Sequence, residues 1–350
     1  MNRFAAQLVE LAVAHFPPAL LDEAGSGAGA AALRRSAAWL APGVQLYFEC
    51  RLAGGDRAID VSQHFFAARG GVTALSALAQ ARAALPGTDL AWARLADFAS
   101  GWATEPAIVE IGLEHDAGPD GWIAAPAVFA AFDRGALADR DAGERFVTAV
   151  APHAGQAWSR LVDTLARAEA LGMASGRLVG AMLSRDAQLR CMIRGVAPEP
   201  VAALLREIGW PGDPAPLIDL LGWPELGGDA TRLVLGFAPG PVAECGIEVI
   251  HPQGAGGDAA RAALLDRLAA AGLAERPRVA ALAEWPATIT PIDARADWPD
   301  AMIAADLAHG GASYCAGFVN HVKLNLAGGR VLPAKAYLAL APMLQGSGHA

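Results

Sequence analysis

The chain has 350 residues, 54% of them apolar and 18% charged, with a mean hydropathy of +0.30. Intrinsic disorder needs low hydrophobicity and high charge, so it is excluded, and the length suffices for one large core or two ordinary domains. Lys and Arg total 27 against 36 Asp and Glu, a net charge of −9, which is the wrong sign for a general nucleic-acid binder. No run of about 18 apolar residues escapes a Gly, a Pro or a charge, so no membrane-spanning helix is expected.

Residues 3–15 have helical spacing, with Phe4, Leu8, Leu11, Ala12 and His15 on one side. Gln7 and Glu10 interrupt the apolar run, which reads as an amphipathic helix rather than a signal peptide. Gly25-Ser26-Gly27-Ala28-Gly29 follows a helix, not a strand, and reads as a flexible linker rather than a phosphate loop. From residue 44 a pattern sets in. Residues 44–52 alternate as a strand, 53–56 turn, and 58–65 return, a β-hairpin. Helical stretches follow near 73–85 and 88–102. A second hairpin rises over 107–116, turns at 117–121 and returns through Trp122 and Ile123; more helix follows, including a long one near 140–171. The third uses 176–183 and 188–195 about a turn at 184–187, with helices near 198–209 and 214–222. The fourth uses 231–238 and 242–251 about Pro239-Gly240-Pro241, with helices near 257–272, 275–284 and 299–309. The fifth uses 317–327 and 330–340 about Gly328-Gly329.

Regular spacing of this kind signals a repeat architecture. The run Glu110-Ile111-Gly112-Leu113-Glu114 recurs as Glu244-Cys245-Gly246-Ile247-Glu248, modest support for it. Five hairpins make ten strands, and closing so large a sheet removes its exposed edges. The expected fold is therefore α+β: five β-hairpins alternating with helical pairs, closed into a ten-stranded antiparallel barrel surrounded by helices. Residues 1–40 are expected as an N-terminal helical segment and linker, and 41–345 as a single barrel-like domain. An open sheet with one face in water would show the same alternation without a cavity.

Strand side chains alternate, so each strand divides into two faces. Leu46, Phe48, Cys50 and Leu52 oppose Gln45, Tyr47, Glu49 and Arg51. Val109, Ile111 and Leu113 oppose Glu110, Gly112, Glu114 and Asp116; Leu189, Cys191 and Ile193 oppose Gln188, Arg190, Met192 and Arg194. Cys245, Ile247 and Val249 oppose Glu244, Gly246 and Glu248; Val322, Leu324 and Leu326 oppose His321, Lys323 and Asn325; Ala336, Leu338 and Leu340 oppose Lys335, Tyr337 and Ala339. Apolar faces should meet the helices, since burial is worth about 25 cal/mol per Å². The polar faces then line the interior, which must be wet, internally paired or occupied by a ligand, because an unpaired buried ion costs several kcal/mol.

Cys50, Cys191, Cys245 and Cys315 include no C-x-x-C and lie in or beside apolar stretches, so they read as small buried hydrophobes in a reducing cytoplasm, the expected location. No metal is expected: Glu114, Asp116, Glu248 and His321 come in no H-x-x-x-H or H-x-D spacing. His115 and His251 read as satisfied structural residues. Trp210-Pro211, Trp223-Pro224, Trp285-Pro286 and Trp298-Pro299 read as packing corners at helix ends, or as an aromatic rim for a peptide.

Hairpins alternating with helical pairs around a polar-lined barrel resemble the ABBA prenyltransferase family across residues 44–340. The resemblance implies five ββ units with αα pairs between them and a lumen that holds an isoprenoid diphosphate. By position it implies Arg51, Arg190, Arg194, Lys323 and Lys335 as diphosphate ligands, Tyr47 and Tyr337 as shields of the allylic cation, and Glu49 or Glu114 as the acceptor-side carboxylate. This chain departs from that set. Its tyrosines are Tyr47, Tyr314 and Tyr337, aromatics total 7%, and Glu49, Glu110, Glu114, Glu244 and Glu248 repel a diphosphate unless each is paired.

The charge balance narrowly favours binding over transfer. A mixed-charge lumen matches a peptide, whose amides and side chains carry both signs. The expected role is a peptide-binding accessory protein in a ribosomal-peptide natural-product pathway, with a peptide or small polar ligand and the pathway's enzymes as partners. The expected ligand-binding residues are Tyr47, Glu49, Arg51, Glu110, Glu114, Arg190, Arg194, Glu244, Glu248, His321, Lys323, Lys335 and Tyr337. No cofactor, nucleic acid or membrane is expected, and a homodimer stays open. The alternative is a prenyltransferase that moves an isoprenyl group from a diphosphate substrate, with or without Mg²⁺, to a peptide or aromatic acceptor, with Glu49 and Glu114 catalytic. Arg190→Ala and Lys323→Ala are expected to weaken ligand binding more than folding.

Overall fold

The computed structural model describes residues 3–21, 27–41, 45–54, 59–86, 89–118, 121–122, 125–184, 188–226, 228–238, 242–327 and 329–343. Ten strands carry the architecture: β1 (Gln45–Arg51), β2 (Ile59–Phe66), β3 (Ile108–His115), β4 (Ala127–Phe132), β5 (Ala174–Met182), β6 (Gln188–Arg194), β7 (Thr231–Phe237), β8 (Val242–Val249), β9 (Tyr314–Ala327) and β10 (Lys335–Met343). Each is antiparallel to both neighbours in chain order, and β10 returns to β1 through Leu46↔Leu340 to Arg51↔Lys335, which closes the ring. Closure satisfies the edge groups that an open ten-stranded sheet would leave unpaired. The helical pairs are α4 (Gly71–Ala83) and α5 (Leu90–Gly101), α6 (Arg140–Val150) and α7 (Gly155–Ala170), and α8 (Pro198–Glu207) and α9 (Ala215–Leu221); a trio follows the fourth hairpin, α10 (Ala255–Ala270), α11 (Arg276–Leu282) and α12 (Asp300–His309). The layout of ββ units with αα pairs between them is the one that the resemblance implied.

The outer strand faces are apolar and buried: Leu46, Phe48 and Cys50; Ile111 and Leu113; Leu189, Cys191 and Ile193; Leu233 and Leu235; Cys245 and Ile247; Val322 and Leu324; Ala336 and Leu338. Helices cover them with stripes spaced three and four apart, such as Trp158, Leu161, Val162, Leu165 and Ala168 of α7, which packs on β5 and β6. Asp89 caps α5, its carboxylate accepting the Ala91 N–H at 2.8 Å. All four cysteines are free and buried in this outer layer; burial pushes the Cys245 and Cys315 thiols up to about 12, so they act as hydrophobes.

Four expectations change. The second hairpin does not return through Trp122 and Ile123. Gly121–Trp122 pairs with Ala117–Gly118 in a small separate ribbon, Ile123 lies outside the described residues, and the return strand is β4, which the sequence reading placed in helix. The long helix near 140–171 is two, because Pro152 lacks an N–H and biases Ala151 away from the helical region, where it sits at φ −137° and ψ 65°. The Gly-rich linker is partly helix: α3 (Ala28–Ser36) starts inside it behind Gly27, which is left-handed at φ +69°, while 22–26 lie outside the described residues. The central turn residues 55–56, 119–120, 185–187, 239–241 and 328 also lie outside the described set.

The N-terminal helices α1 (Arg3–His15) and α2 (Pro18–Leu21) pack on the barrel's outer layer. Phe16 meets Phe48 of β1 and Trp285 edge-on, with ring centroids 5.6 and 5.2 Å apart. Trp285 also donates its indole N–H to the Ala339 carbonyl at 3.1 Å. Trp210, Trp223 and Trp298 pack against the same core, so the Trp-Pro pairs are packing corners. His115 sits on the outer face, stacked on Trp92, and burial lowers its pKa to about 3. Among the described residues no helix is long and apolar enough to cross a membrane.

Candidate functional site

The polar strand faces converge on the barrel lumen, and the register decides which groups meet there. One row of inward positions runs Arg194, Arg232, Glu248, Lys323, Lys335 and Arg51 across β6 to β10 and on to β1. The next runs His321, Tyr337, Glu49 and Asp60. A third runs Tyr47, Ser62, Glu114 and Ala127. A cation-rich row therefore lies beside a row with two carboxylates, and side chains pair along and across the rows.

The pairs are close. Lys335 Nζ donates to Glu49 Oε1 at 2.5 Å, and the Tyr337 hydroxyl donates closely to Glu49 Oε2. Lys323 Nζ lies 3.1 Å from Glu248 Oε1, with both side chains under one-tenth exposed. Arg190 Nη2 donates to Glu244 Oε2 at 2.7 Å, and Arg51 Nη2 to Asp60 Oδ2 at 3.1 Å. Each of these four lumen cations thus faces a carboxylate. Burial pushes Glu49 upward, but Lys335, Lys323 and the two hydrogen bonds outweigh it and hold its pKa at about 2. Glu248 is lowered in the same way by Lys323 and His321 against its burial.

Glu114 differs. It lies in the lumen with no hydrogen bond or ion pair to another described residue, and burial, then the negative charge of Glu49, raise its pKa despite Arg190 and Lys323. Burial also lowers His321 to about 4; its ring stacks on Tyr337 at 3.9 Å.

Glu114, Arg190 and Lys323 form a waist shared by two chambers. The chamber toward the helical connections, about 80 Å³, is walled by Tyr47, His64, Phe129, Leu178, Met192, His321 and Tyr337, with Ser62, Gly112, Glu248 and Asn320 completing it. Its walls need glycine opposite the bulky rings: a Cβ on Gly180 would lie 2.5 Å from Phe129 Cε1, and one on Gly112 would lie 3.2 Å from His64 Cε1. The chamber toward the hairpin turns, about 230 Å³, is lined by Glu49, Arg51, Asp60, Asp116, Glu244, Asn325 and Lys335 with the waist residues. Two buried atoms on these walls, Arg190 Nε and Asn325 Oδ1, have no hydrogen-bond partner among the described residues. One is a donor and the other an acceptor.

All of the expected ligand-binding residues except Glu110 and Arg194 line one of the two chambers. Glu110 shares their inward face but lies beyond the first chamber, where it holds His64 Nδ1 closely. His64 in turn meets the Tyr47 ring edge-on at 4.4 Å, and the Tyr47 hydroxyl accepts from Gln45 Nε2 at 2.7 Å. Arg194 is exposed at the rim, beside the half-buried Arg232. The sequence reading did not single out Asp60, Ser62, His64, Phe129, Met192, Asn320 and Asn325 as site residues. Among the described residues no group of three or more His, Cys, Asp or Glu is gathered to hold a metal ion.

No family model matches the chain, and no curated protein matches its sequence. Among solved structures, the crystal structure of NotF prenyltransferase is similar at a TM-score of 0.46 and 13% identity, over 85% of this chain and 80% of that chain.

Proposed function

We propose that this chain is a peptide-binding accessory protein that admits part of a polar peptide into its lumen and presents it unaltered to a modifying enzyme. The ligand class is the one that the sequence suggests, a ribosomally made precursor peptide. One observation carries the reading: Arg51, Arg190, Lys323 and Lys335 are each already held by a carboxylate. A diphosphate would have to break such pairs, and an uncompensated buried ion costs several kcal/mol. A peptide breaks none.

The test is retention of a random peptide library on the immobilised protein, with thermal shifts measured in parallel. Ligand at 100 times its Kd stabilises by about 2.7 kcal/mol, which moves Tm visibly. Retained peptides should raise Tm, whereas dimethylallyl and geranyl diphosphate should leave it unchanged. Transfer of a prenyl group to any peptide or aromatic acceptor overturns the reading in favour of the prenyltransferase alternative.

A further inference from the structure

We infer that Glu114 is the anchor of a cation subsite, at which a protonated amine or a guanidinium enters the aromatic chamber and pairs with its carboxylate. This deepens, and rests on, the peptide-binding reading. The charges around the waist are otherwise matched: Arg190 with Glu244, Lys323 with Glu248 and Lys335 with Glu49, while Glu110, beyond the chamber, is hydrogen-bonded to His64. Among the described residues that line the chambers, Glu114 is the carboxylate with no ion pair or hydrogen bond, and it lies where both chambers open.

The walls suit a cation on an alkyl stem. Tyr47, Phe129 and Tyr337 present rings, and Leu178 and Met192 present apolar surface for the methylenes. The chamber already places one guanidinium near an aromatic face, that of Arg190 at 6.0 Å from the Phe129 centroid. A carboxylate or phosphate entering the same space would meet Glu114 and Glu248, whereas a neutral side chain would gain no charge-assisted hydrogen bond. Lys and Arg side chains of a peptide and free organic amines share this chemistry.

Titration supports the geometry. The charged groups acting on Glu114 are Glu49, Arg190, Lys323 and Asp116, just past the end of its own strand, and together with burial they leave it easier to protonate than an ordinary glutamate. An incoming cation favours the ionised form, so binding should expel a proton from Glu114 and tighten as pH rises.

The experiment uses the full chain and titration calorimetry with N-acetyl-lysine amide, N-acetyl-arginine amide, N-acetyl-norleucine amide, agmatine and cadaverine, in two buffers of different ionisation enthalpy. A lysine or arginine probe is expected to bind at least tenfold tighter than norleucine, with a buffer-dependent enthalpy that reports proton release. Glu114→Gln should abolish both the preference and the proton release, and Phe129→Leu should weaken the preference a few-fold while leaving the proton release in place. Equal binding of lysine and norleucine probes, or a preference that survives in Glu114→Gln, overturns the inference. Library peptides retained without enrichment in Lys or Arg sink the cation subsite and spare the peptide reading. Free amines bound Glu114-dependently, with no library peptide retained, do the reverse.

Discussion

Glu49 and Glu114 are carboxylates on the inner face of one barrel, yet their surroundings drive them in opposite directions. Glu49, on β1, faces β10, where Lys335 and Tyr337 both donate to it, and its pKa falls to about 2. Glu114, on β3, is opposite Ser62 and Ala127, neither of which brings a positive charge, and its pKa rises. Burial penalises both ionised forms, so the difference comes from what register places alongside. Ion pairs thereby tie the lumen together on both sides of the waist, and Glu114, at the waist, keeps a carboxylate available to a ligand.

The comparison breaks most readily at its paired side. Lys323→Met strands Glu248 in a site where both side chains are under one-tenth exposed, and removing one partner of a buried pair costs about 3–5 kcal/mol. Urea unfolding should show that loss, and adding Glu248→Gln to it should restore most of the stability. The same burial moves the main effect of Lys323→Ala and Arg190→Ala from ligand binding, where the sequence placed it, to folding. If Lys323→Met were as stable as the parent protein, the pairs would not hold the lumen together.

Histidine sharpens the contrast at acid pH. His321 titrates near 4 and His115 near 3, both lowered chiefly by burial. The unfolded chain binds these protons near 6.5, so their stabilisation is present above that pH and is lost as pH falls toward the folded values. Glu49 adds a loss of the same sign at lower pH, between about 4.5 and about 2. His321→Gln should flatten the fall between pH 6.5 and 4 by about 2–3 kcal/mol, read as Tm against pH. An unchanged slope would mean that His321 is not held neutral by the lumen.

The faces of most strands were legible because side-chain direction alternates and one face is charged. Where both faces are apolar the signal vanishes. In β4 the inner Ala127, Phe129 and Ala131 look no different from the outer Val128, Ala130 and Phe132, and the alanine-rich run reads as helix. In β2 the outer Gln63 stands between the inner Ser62 and His64, so polar residues run on without alternation. Its amide is used outside the barrel, accepting from the Ala41 N–H at 2.9 Å and donating to the Trp39 carbonyl at 3.2 Å. Nor was the pairing legible. Glu49 and Lys335 are 286 residues apart, and only the closed ring sets their register. Composition could announce a mixed-charge lumen, but not that Glu114 would be the carboxylate without a partner.

Phe129 allows the aromatic chamber to be closed without touching a charge. A Cβ on Gly180 would lie 2.5 Å from the Phe129 ring, so Gly180→Ala forces that ring to move. Overpacking of this kind costs about 1–3 kcal/mol, and ligand affinity should fall by more than stability does if the ring swings into the chamber. Equal losses in both would place the strain in the strand instead.

Glu114→Gln should have the smallest effect on stability and an unusual sign. A carboxyl whose folded pKa is raised is destabilised relative to the unfolded chain as pH climbs through that folded value. Below the unfolded value of about 4.5 both states are protonated, and the variant should match the parent. At pH 8 the amide, which never ionises, should be more stable, by about 1 kcal/mol, the scale on which an unsatisfied buried acceptor is felt. Tm curves of the two proteins should therefore meet in acid and separate in base, with the variant above. Curves that separate the other way would show Glu114 stabilised as a carboxylate by the protein itself, and its difference from Glu49 would disappear.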